Sequence, residues 1–203
     1  MDVRRLLAGK ESGIILDIGA NCGQTTKRLA RAFPNFSIQC LEPNSDLHHK
    51  IHEKTSFHKN VKIHRLGAGA QNAELTFHKS NKHESNSFHK EWSHRHGTPM
   101  PAETVPVRRL DSFCIENQID SISVLKTNAE GFDYQILEGA APLLEQKKIF
   151  CLIVEVSFGS LGEESTRPGS YLNLMEGYGY EFVGLYETAR NKKAALSGET
   201  CFS

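Results

Sequence analysis

Short apolar runs alternate with segments whose apolar residues recur at helical spacing along the first part of the chain. Runs that are rich in isoleucine, leucine and valine and end in glycine or proline are typical of strands in a covered sheet. We predict strands at 13–19, 36–43, 60–69 and 74–80 and helices at 23–33 and 45–54, the second with Ser45 as its N-cap. This repetition of strand and helix indicates an α/β protein.

The second part of the chain continues the alternation and then ends in two strands. We predict strands at 122–128, 149–158, 180–187 and 195–203 and helices at 132–144 and 171–178. Asp111 can cap a short helix that precedes the first of these strands. The pattern predicts a doubly wound, mostly parallel sheet with an antiparallel terminal pair, within one domain that spans residues 1–203.

A long polar segment separates the two parts. Residues 81–104 are rich in histidine, serine and asparagine. A loop of this length inside a compact domain is uncommon and is usually either functional or disordered. We expect the 81–104 segment to be an ordered loop that acts as a substrate lid. Its histidines, His89, His94 and His96, are either exposed loop residues or candidates for a general base near neutral pH.

The first strand runs into a glycine turn and a helix, where free backbone N–H groups can hold a polar ligand. The spacing Asp17-x-Gly19-x-x-x-Gly23 differs from the G-x-G-x-x-G of dinucleotide-binding proteins. A carboxylate here would repel a pyrophosphate but would suit a ligand with an amino group, such as the methionine part of S-adenosylmethionine. The alternative is an ordinary strand-to-helix turn with a capping Asp or Asn.

Glu42 ends the second predicted strand, where an acidic side chain can accept hydrogen bonds from both hydroxyls of a ribose. A glutamate before a proline is usually a solvated turn residue, but its position one βα unit after the glycine turn indicates an adenosine-containing cofactor. We predict that the cofactor contacts are Asp17, Gly19, Ala20, Asn21, Gly23, Gln24, Thr25, Glu42, Pro43, Gly67 and Ala68.

Polar residues interrupt the strand at 122–128, where burial should be greatest. Lys126, Asn128 and Glu130 follow one another with a period of two, which places them on one face of an extended strand. Buried polar groups need a partner or a ligand. Glu155, in the middle of another apolar run, is the obvious ion-pair partner for Lys126. We therefore expect either a structural ion pair or the border of an active site.

Composition narrows the classes of partner. The 24 basic and 24 acidic residues balance, so we expect neither a nucleic acid nor an anionic membrane as the main partner. No apolar stretch is long enough to span a bilayer, and five scattered cysteines suggest reduced thiols, so we expect a cytoplasmic protein. His48 and His52 are spaced as helical neighbours, but their charged surroundings favour a solvated face, and we predict no metal site.

Five segments, LDIGANCGQTT, LEPN, VRRLDSF, LKTNAEGFDYQILEGA and VEVSF, resemble the FkbM family of S-adenosylmethionine-dependent methyltransferases. The family pattern Lys-x-Asp-x-Glu-Gly-(Phe/Tyr)-(Glu/Asp) is matched by Lys126, Glu130, Gly131, Phe132 and Asp133. Asn128 stands at the Asp position of that pattern. The resemblance implies a Rossmann-like, seven-stranded methyltransferase fold and a transfer site bordered by Lys126, Asn128 and Glu130.

Three hypotheses about function follow from these observations. The leading one is a methyltransferase that uses S-adenosylmethionine to modify a hydroxyl of a sugar or another small natural-product acceptor. Its candidate catalytic residues are Lys126, Asn128, Glu130, Glu155 and His89. A second hypothesis is an NAD-dependent oxidoreductase, because Glu42 would suit either cofactor. The third is a cofactor-binding protein that lost turnover when Asn128 replaced the aspartate.

Overall fold

A computed structural model of the chain describes residues 3–95, 97–158, 167–190 and 196–202. The helices are α1 (Val3–Leu6), α2 (Gln24–Ala32), α3 (Ser45–Thr55), α4 (Lys90–Arg95), α5 (Leu110–Glu116), α6 (Asp133–Gly139), α7 (Ala141–Glu145) and α8 (Pro168–Gly177). The strands are β1 (Gly13–Ile18), β2 (Phe36–Leu41), β3 (Val61–His64), β4 (Gly67–Ala68), β5 (Ala73–Phe77), β6 (Glu103–Arg108), β7 (Val124–Thr127), β8 (Leu152–Phe158), β9 (Phe182–Arg190) and β10 (Leu196–Phe202).

Seven strands form the main sheet, in the order β3-β2-β1-β7-β8-β10-β9. The first five run parallel, whereas β10 is antiparallel to both β8 and β9. The prediction of a mostly parallel, doubly wound α/β sheet with an antiparallel terminal pair is confirmed. Within the described ranges, no helix is long and apolar enough to cross a membrane.

The sheet is buried on both faces, which explains why its strands read as continuous apolar runs. Ile15, Val124 and Ile153 pack into one apolar layer. Their chain neighbours Leu16, Leu125 and Leu152 pack into the layer on the opposite face. Because these strands are parallel, the carboxyl ends of β1, β2 and β7 lie side by side along one edge. Such an edge is where ligands bind in open α/β sheets.

A second sheet was not predicted. It has three strands in the order β4-β6-β5. The predicted strand at 60–69 is therefore wrong as one element: β3 belongs to the main sheet and β4 to the small one. Sequence reasoning missed β6 because Pro106 interrupts it, and proline usually argues against a paired strand. Val105 and Val107, on either side of this proline, are nevertheless fully buried.

The helix ends differ from the predictions in three places. Asn44, and not Ser45, is the N-cap of α3, since its Oδ1 accepts a hydrogen bond from the Asp46 N–H at 3.0 Å. Asp111 lies inside the first turn of α5, where its carboxylate binds Arg109, the N-cap residue. The predicted helix at 132–144 is divided at Ala140 into α6 and α7.

The 81–104 segment contains regular structure. It includes a 3₁₀ turn at His83–Ser85 and the helix α4, and its last two residues belong to β6. Ser85, Ser87 and Ser93 are buried. The segment is therefore packed against the domain, as expected of an ordered loop, whereas its role as a substrate lid stays a prediction.

Candidate active site

A cavity of about 240 Å³ opens at the carboxyl ends of β1, β2 and β7. Its walls combine the turn after β1, the end of β2, the turn after β7 and the 81–104 segment. The polar and glycine positions in the walls are Gly19, Asn21, Gln24, Thr25, Glu42, Gly67, His83, Glu84, Asn86, Lys126, Asn128 and Glu130. The apolar positions are Ile18, Ala20, Leu41, Pro43, Leu47, Leu66, Ala68, Phe77, Phe88, Ala129 and Ile136.

The turn after β1 is shaped by its contact with the turn after β7. Gly19 has a φ of 71°, and a Cβ atom placed on it would lie 1.9 Å from the carbonyl oxygen of Asn128. Only glycine permits this approach. The Asn128 N–H also donates to the carbonyl oxygen of Ile18 at 3.1 Å. The glycine thus brings two strand ends together and exposes its own backbone to the cavity.

Glu42 is fixed at the end of β2 by backbone donors. Its Oε2 accepts from the Asn21 N–H at 2.8 Å and its Oε1 from the Asn44 N–H at 2.9 Å. Each carboxylate oxygen keeps one lone pair for a further donor. Burial raises the pKa of Glu42 to about 7, and the two N–H donors oppose this rise.

Lys126, in the cavity wall, forms an ion pair with the buried Asp17. The two residues are direct neighbours on β7 and β1, and Lys126 Nζ lies 3.2 Å from Asp17 Oδ1. Thr26 Oγ1 donates to the other carboxylate oxygen at 2.6 Å. The expected pairing of Lys126 with Glu155 stays a prediction. The sequence could not identify Asp17, because only the order of the strands places β1 beside β7.

A turn after β7, and not the alternation of side chains along a strand, brings Asn128 and Glu130 to the cavity. Strand β7 ends at Thr127, so the expected single face of alternating residues does not extend to Glu130. Glu130 and Gly131 have φ values of 49° and 89°, both in the left-handed region. The Ala129 N–H donates to both carboxylate oxygens of Asp133, at 3.2 and 3.1 Å, which fastens the turn to the start of α6.

Glu130 is a second carboxyl group in the cavity wall whose pKa is strongly perturbed. Its pKa is raised well above the ordinary value, chiefly by burial and then by the negative charges of Glu155, Asp133 and Glu84. The positive charge of Lys126 opposes the rise. Glu130 therefore holds a proton more readily than an exposed glutamate does, as a proton acceptor in catalysis requires. Within the described residues, no cluster of side chains suited to a metal ion is present.

The structure places most of the predicted site residues in the cavity wall, with four exceptions. Asp17 is fully buried in its ion pair, and Gly23 is the N-cap of α2, where an added Cβ atom would lie 3.2 Å from Ile51 Cα. Glu155 and His89 also lie outside the wall residues. His89 is instead beside Phe132, with ring centroids 5.3 Å apart. The side chain of His94 and the whole of His96 lie outside the described residues.

Sequence reasoning missed the part of the wall that comes from the 81–104 segment. His83, Glu84, Asn86 and Phe88 all line the cavity. His83 is held by Lys50, whose Nζ donates to its Nε2 at 3.0 Å. The segment has no hydrophobic periodicity that would indicate which side chains point inward. His48, considered above as a metal ligand, instead donates through Nε2 to the carbonyl oxygen of Glu42 at 2.8 Å.

Residues 17–182 match the methyltransferase FkbM domain, and this range contains the whole cavity wall. The chain belongs to the FkbM methyltransferase family. A curated relative is the 2-O-methyltransferase NoeI of Sinorhizobium fredii (strain NBRC 101917 / NGR234), 23% identical over 156 residues. The match covers 70% of this chain and 63% of NoeI, so it spans less than two thirds of that relative.

Solved structures with a similar fold include a precorrin methyltransferase and a fibrillarin with bound S-adenosyl-L-methionine. Precorrin-6y C5,15-methyltransferase from Geobacter metallireducens GS-15 has a TM-score of 0.56 at 10% identity, with 99% of this FkbM chain and 85% of that chain covered. Fibrillarin from Aeropyrum pernix, solved with natively bound S-adenosyl-L-methionine, has a TM-score of 0.51 at 9% identity, with 93% and 65% covered. These similarities confirm the Rossmann-like methyltransferase fold.

Proposed function

We propose that the chain binds S-adenosylmethionine and transfers its methyl group to a hydroxyl oxygen of a sugar or another small acceptor. The observation that carries the proposal is that two buried carboxyl groups in different environments line one cavity. Glu42 accepts two backbone hydrogen bonds, whereas Glu130 is surrounded mainly by other acidic residues. Membership of the FkbM family supports the cofactor, and the name of NoeI, a 2-O-methyltransferase, supports a hydroxyl acceptor.

The residues around Glu42 fit a nucleoside. Its two carboxylate oxygens can accept hydrogen bonds from the two hydroxyls of a ribose, since each already holds only one backbone donor. Pro43, Leu47 and Leu66 supply apolar wall for a base ring. Asp17 is fully buried and is not among the wall residues, so we assign it to support of the wall through its ion pair with Lys126.

The residues around Glu130 fit a neutral hydroxyl acceptor. When bound, S-adenosylmethionine supplies an activated methyl group on a sulfonium. The chain must then align the acceptor and receive its proton. Glu130 is the candidate proton acceptor, and Asn128 can orient an acceptor hydroxyl through either its carbonyl oxygen or its NH₂ group. The carboxylates Glu84 and Glu130 in the same wall would repel an anionic acceptor such as a phosphate ester.

Calorimetric titration with S-adenosylhomocysteine tests the cofactor assignment. We expect saturable binding that Glu42→Gln weakens by about 1.5–3 kcal/mol, the usual value of hydrogen bonds to a charged acceptor. Glu53→Gln, an exposed carboxylate on α3, is the matched control and should bind as the wild type does. Absence of binding by the folded wild-type chain would contradict the proposal, and tight binding of NADH in its place would favour an oxidoreductase.

Methyl transfer is tested with S-adenosylmethionine that carries a labelled methyl group and a panel of hydroxylated acceptors. We expect labelled product from neutral sugars or polyols and a lower rate with their phosphate esters. Glu130→Gln should lower kcat by roughly 10²–10⁴-fold, the usual contribution of a general base, and leave S-adenosylhomocysteine affinity intact. If no acceptor is labelled although the cofactor binds, the chain is better described as a cofactor-binding homologue.

A further inference from the structure

The 81–104 segment is hydrogen-bonded to the backbone of the candidate base. Ser87 Oγ donates to the carbonyl oxygen of Glu130 at 2.8 Å, and Ser87 is 1% exposed. The backbone of Ser87 pairs with His78, just beyond β5, through hydrogen bonds of 2.9 and 3.1 Å. Its hydroxyl also accepts from the His89 N–H at 3.0 Å. Ser87 therefore joins the small sheet, the segment and the Glu130 turn.

Aromatic side chains of the segment cover the same turn. A Cβ atom placed on Gly131 would lie 2.5 Å from Trp92 Cε2, so the indole ring rests directly on the glycine backbone. The rings of Phe88 and Phe132 are 4.9 Å apart. Contacts with Glu130, Gly131 and Phe132 thus come from one segment.

The turn itself is unfavourable without such support. Glu130 adopts a left-handed φ of 49°. Residues other than glycine, asparagine and aspartate rarely adopt this conformation, because their side chains clash with the backbone. Such conformations persist where surrounding contacts hold them, and they concentrate at functional sites. The conformation that places Glu130 in the cavity wall is therefore held in part by the 81–104 segment.

We propose that Ser87 is a positioning residue, which keeps Glu130 in its buried, cavity-facing conformation by binding its carbonyl oxygen, with Trp92 covering the adjoining Gly131. The proposal rests on the proposed function for the identity of Glu130 as proton acceptor. The 81–104 segment would then not only exclude water from the cavity but also hold the Glu130 carboxyl group in position to accept a proton. Loss of the Ser87 contact would therefore impair methyl transfer more than cofactor binding, for which Glu42 is the main contact.

The charges around Glu130 make this positioning measurable. Lys126, Asp133 and Glu155 face it from β7, α6 and β8, and Glu84 faces it from the segment. If Ser87 no longer holds the turn, the Glu130 carboxyl group becomes more hydrated and moves away from Glu84. Both changes favour the ionised form, so the pKa of Glu130 should fall.

The test compares Ser87→Ala with Ser93→Ala. Ser93 Oγ donates to the carbonyl oxygen of Lys90 at 2.9 Å, so its loss removes a serine–carbonyl hydrogen bond within the segment and not one to the Glu130 turn. Carbon-13 NMR of the glutamate carboxyl groups, with the Glu130 signal assigned by Glu130→Gln, reports the pKa directly. We expect Ser87→Ala to lower the Glu130 midpoint by about half a unit or more and Ser93→Ala to leave it unchanged.

Two further measurements make the outcome decisive. Ser87→Ala should speed exchange of the amide hydrogens in the 130–132 turn by several-fold and should lower S-adenosylhomocysteine affinity less than Glu42→Gln does. An unchanged Glu130 midpoint and unchanged exchange would overturn the proposal. If Ser87→Ala does not fold, Ser87→Cys, whose S–H is only a weak donor, carries the same comparison. If the wild-type chain does not bind S-adenosylhomocysteine, the proposed function is contradicted. The effect of Ser87→Ala on the Glu130 pKa can still be measured in that case, because it needs no ligand.

Discussion

Glu42 is the residue in which burial and ligand recognition are most directly linked. Folding removes its carboxylate from water, which raises its pKa to about 7, and supplies only one backbone donor to each oxygen. The ionised form is therefore incompletely satisfied near neutral pH. A ligand with two hydroxyl donors would complete its hydrogen bonds and favour the charged form.

We predict that S-adenosylhomocysteine binds more tightly as pH rises through 7. Below this value Glu42 is protonated in the free chain, and binding must then release a proton, so affinity should fall by up to about tenfold per pH unit. Calorimetry at pH 6 and pH 8, in buffers with different ionisation enthalpies, measures both the affinity and the proton release. The contribution of Glu42 to stability has the opposite sign, because a raised carboxyl pKa favours the folded state at low pH.

The control for this prediction is Glu42→Gln, which cannot titrate. Its affinity should be low but lack the Glu42-linked change between pH 6 and pH 8. An equally steep pH dependence in the wild type and in Glu42→Gln would assign the titration to another group, of which Glu130 is the first to examine.

Residues that act through local patterns were predictable from the sequence, whereas residues that act through strand order were not. Glu42 and Gly19 are identified by their positions at the ends of apolar runs, and both line the cavity. The pairing of Asp17 with Lys126 joins residues far apart in the chain, and it depends on β1 lying next to β7. The spacing of residues in the sequence does not indicate which strands are neighbours in the sheet.

At the scale of elements, the β1–β7 pair carries a buried charge pair at its carboxyl end. Lys126 and Asp17 are 4% and 0% exposed, and the Lys126 Nζ also lies 3.5 Å from the carbonyl oxygens of Ile18 and Gly19. A buried ion pair contributes little net stability relative to apolar residues, but removal of one partner leaves an uncompensated charge. The pair therefore fixes the cavity wall without necessarily stabilising the fold.

We predict that Asp17→Asn lowers the free energy of unfolding by about 3 kcal/mol, as expected when one partner of a buried pair is neutralised. Urea denaturation measures the change. Asp46→Asn, which breaks the exposed pair with Lys79, is the matched control and should cost less than about 1 kcal/mol. A loss for Asp17→Asn no larger than that of the control would show that Lys126 is satisfied without its partner.

The elements themselves were largely predictable because long apolar runs and helical spacing are strong local signals. The second sheet was not, since β4 is only two residues long and β6 contains a proline. The 81–104 segment was recognised by its length and polarity, but its inward side chains were not, because they follow no period. Tertiary contacts with β5 and with the Glu130 turn determine which of them face the cavity.

At the scale of the whole molecule, two sheets meet at one cavity. The main sheet supplies Glu42 and the turns after β1 and β7, and the small sheet anchors both ends of the 81–104 segment through β5 and β6. The ends of the main-sheet strands would therefore bind the cofactor. The 81–104 segment, which has few regular apolar repeats, would cover the cavity. Low local stability is the expected property of such covering segments.

We predict that amide hydrogens in the 81–104 segment exchange faster than those of Ile14–Leu16 in the free chain and slow when S-adenosylhomocysteine binds. His83, Glu84 and Asn86 line the cavity, so a ligand there gains contacts only while the segment stays closed. At a ligand concentration 100 times Kd, exchange that requires ligand release should slow by up to about 100-fold. Strand β9, at the far edge of the main sheet, should not change. Protection of the free segment equal to that of Ile14–Leu16 would show that it is a fixed wall and not a lid.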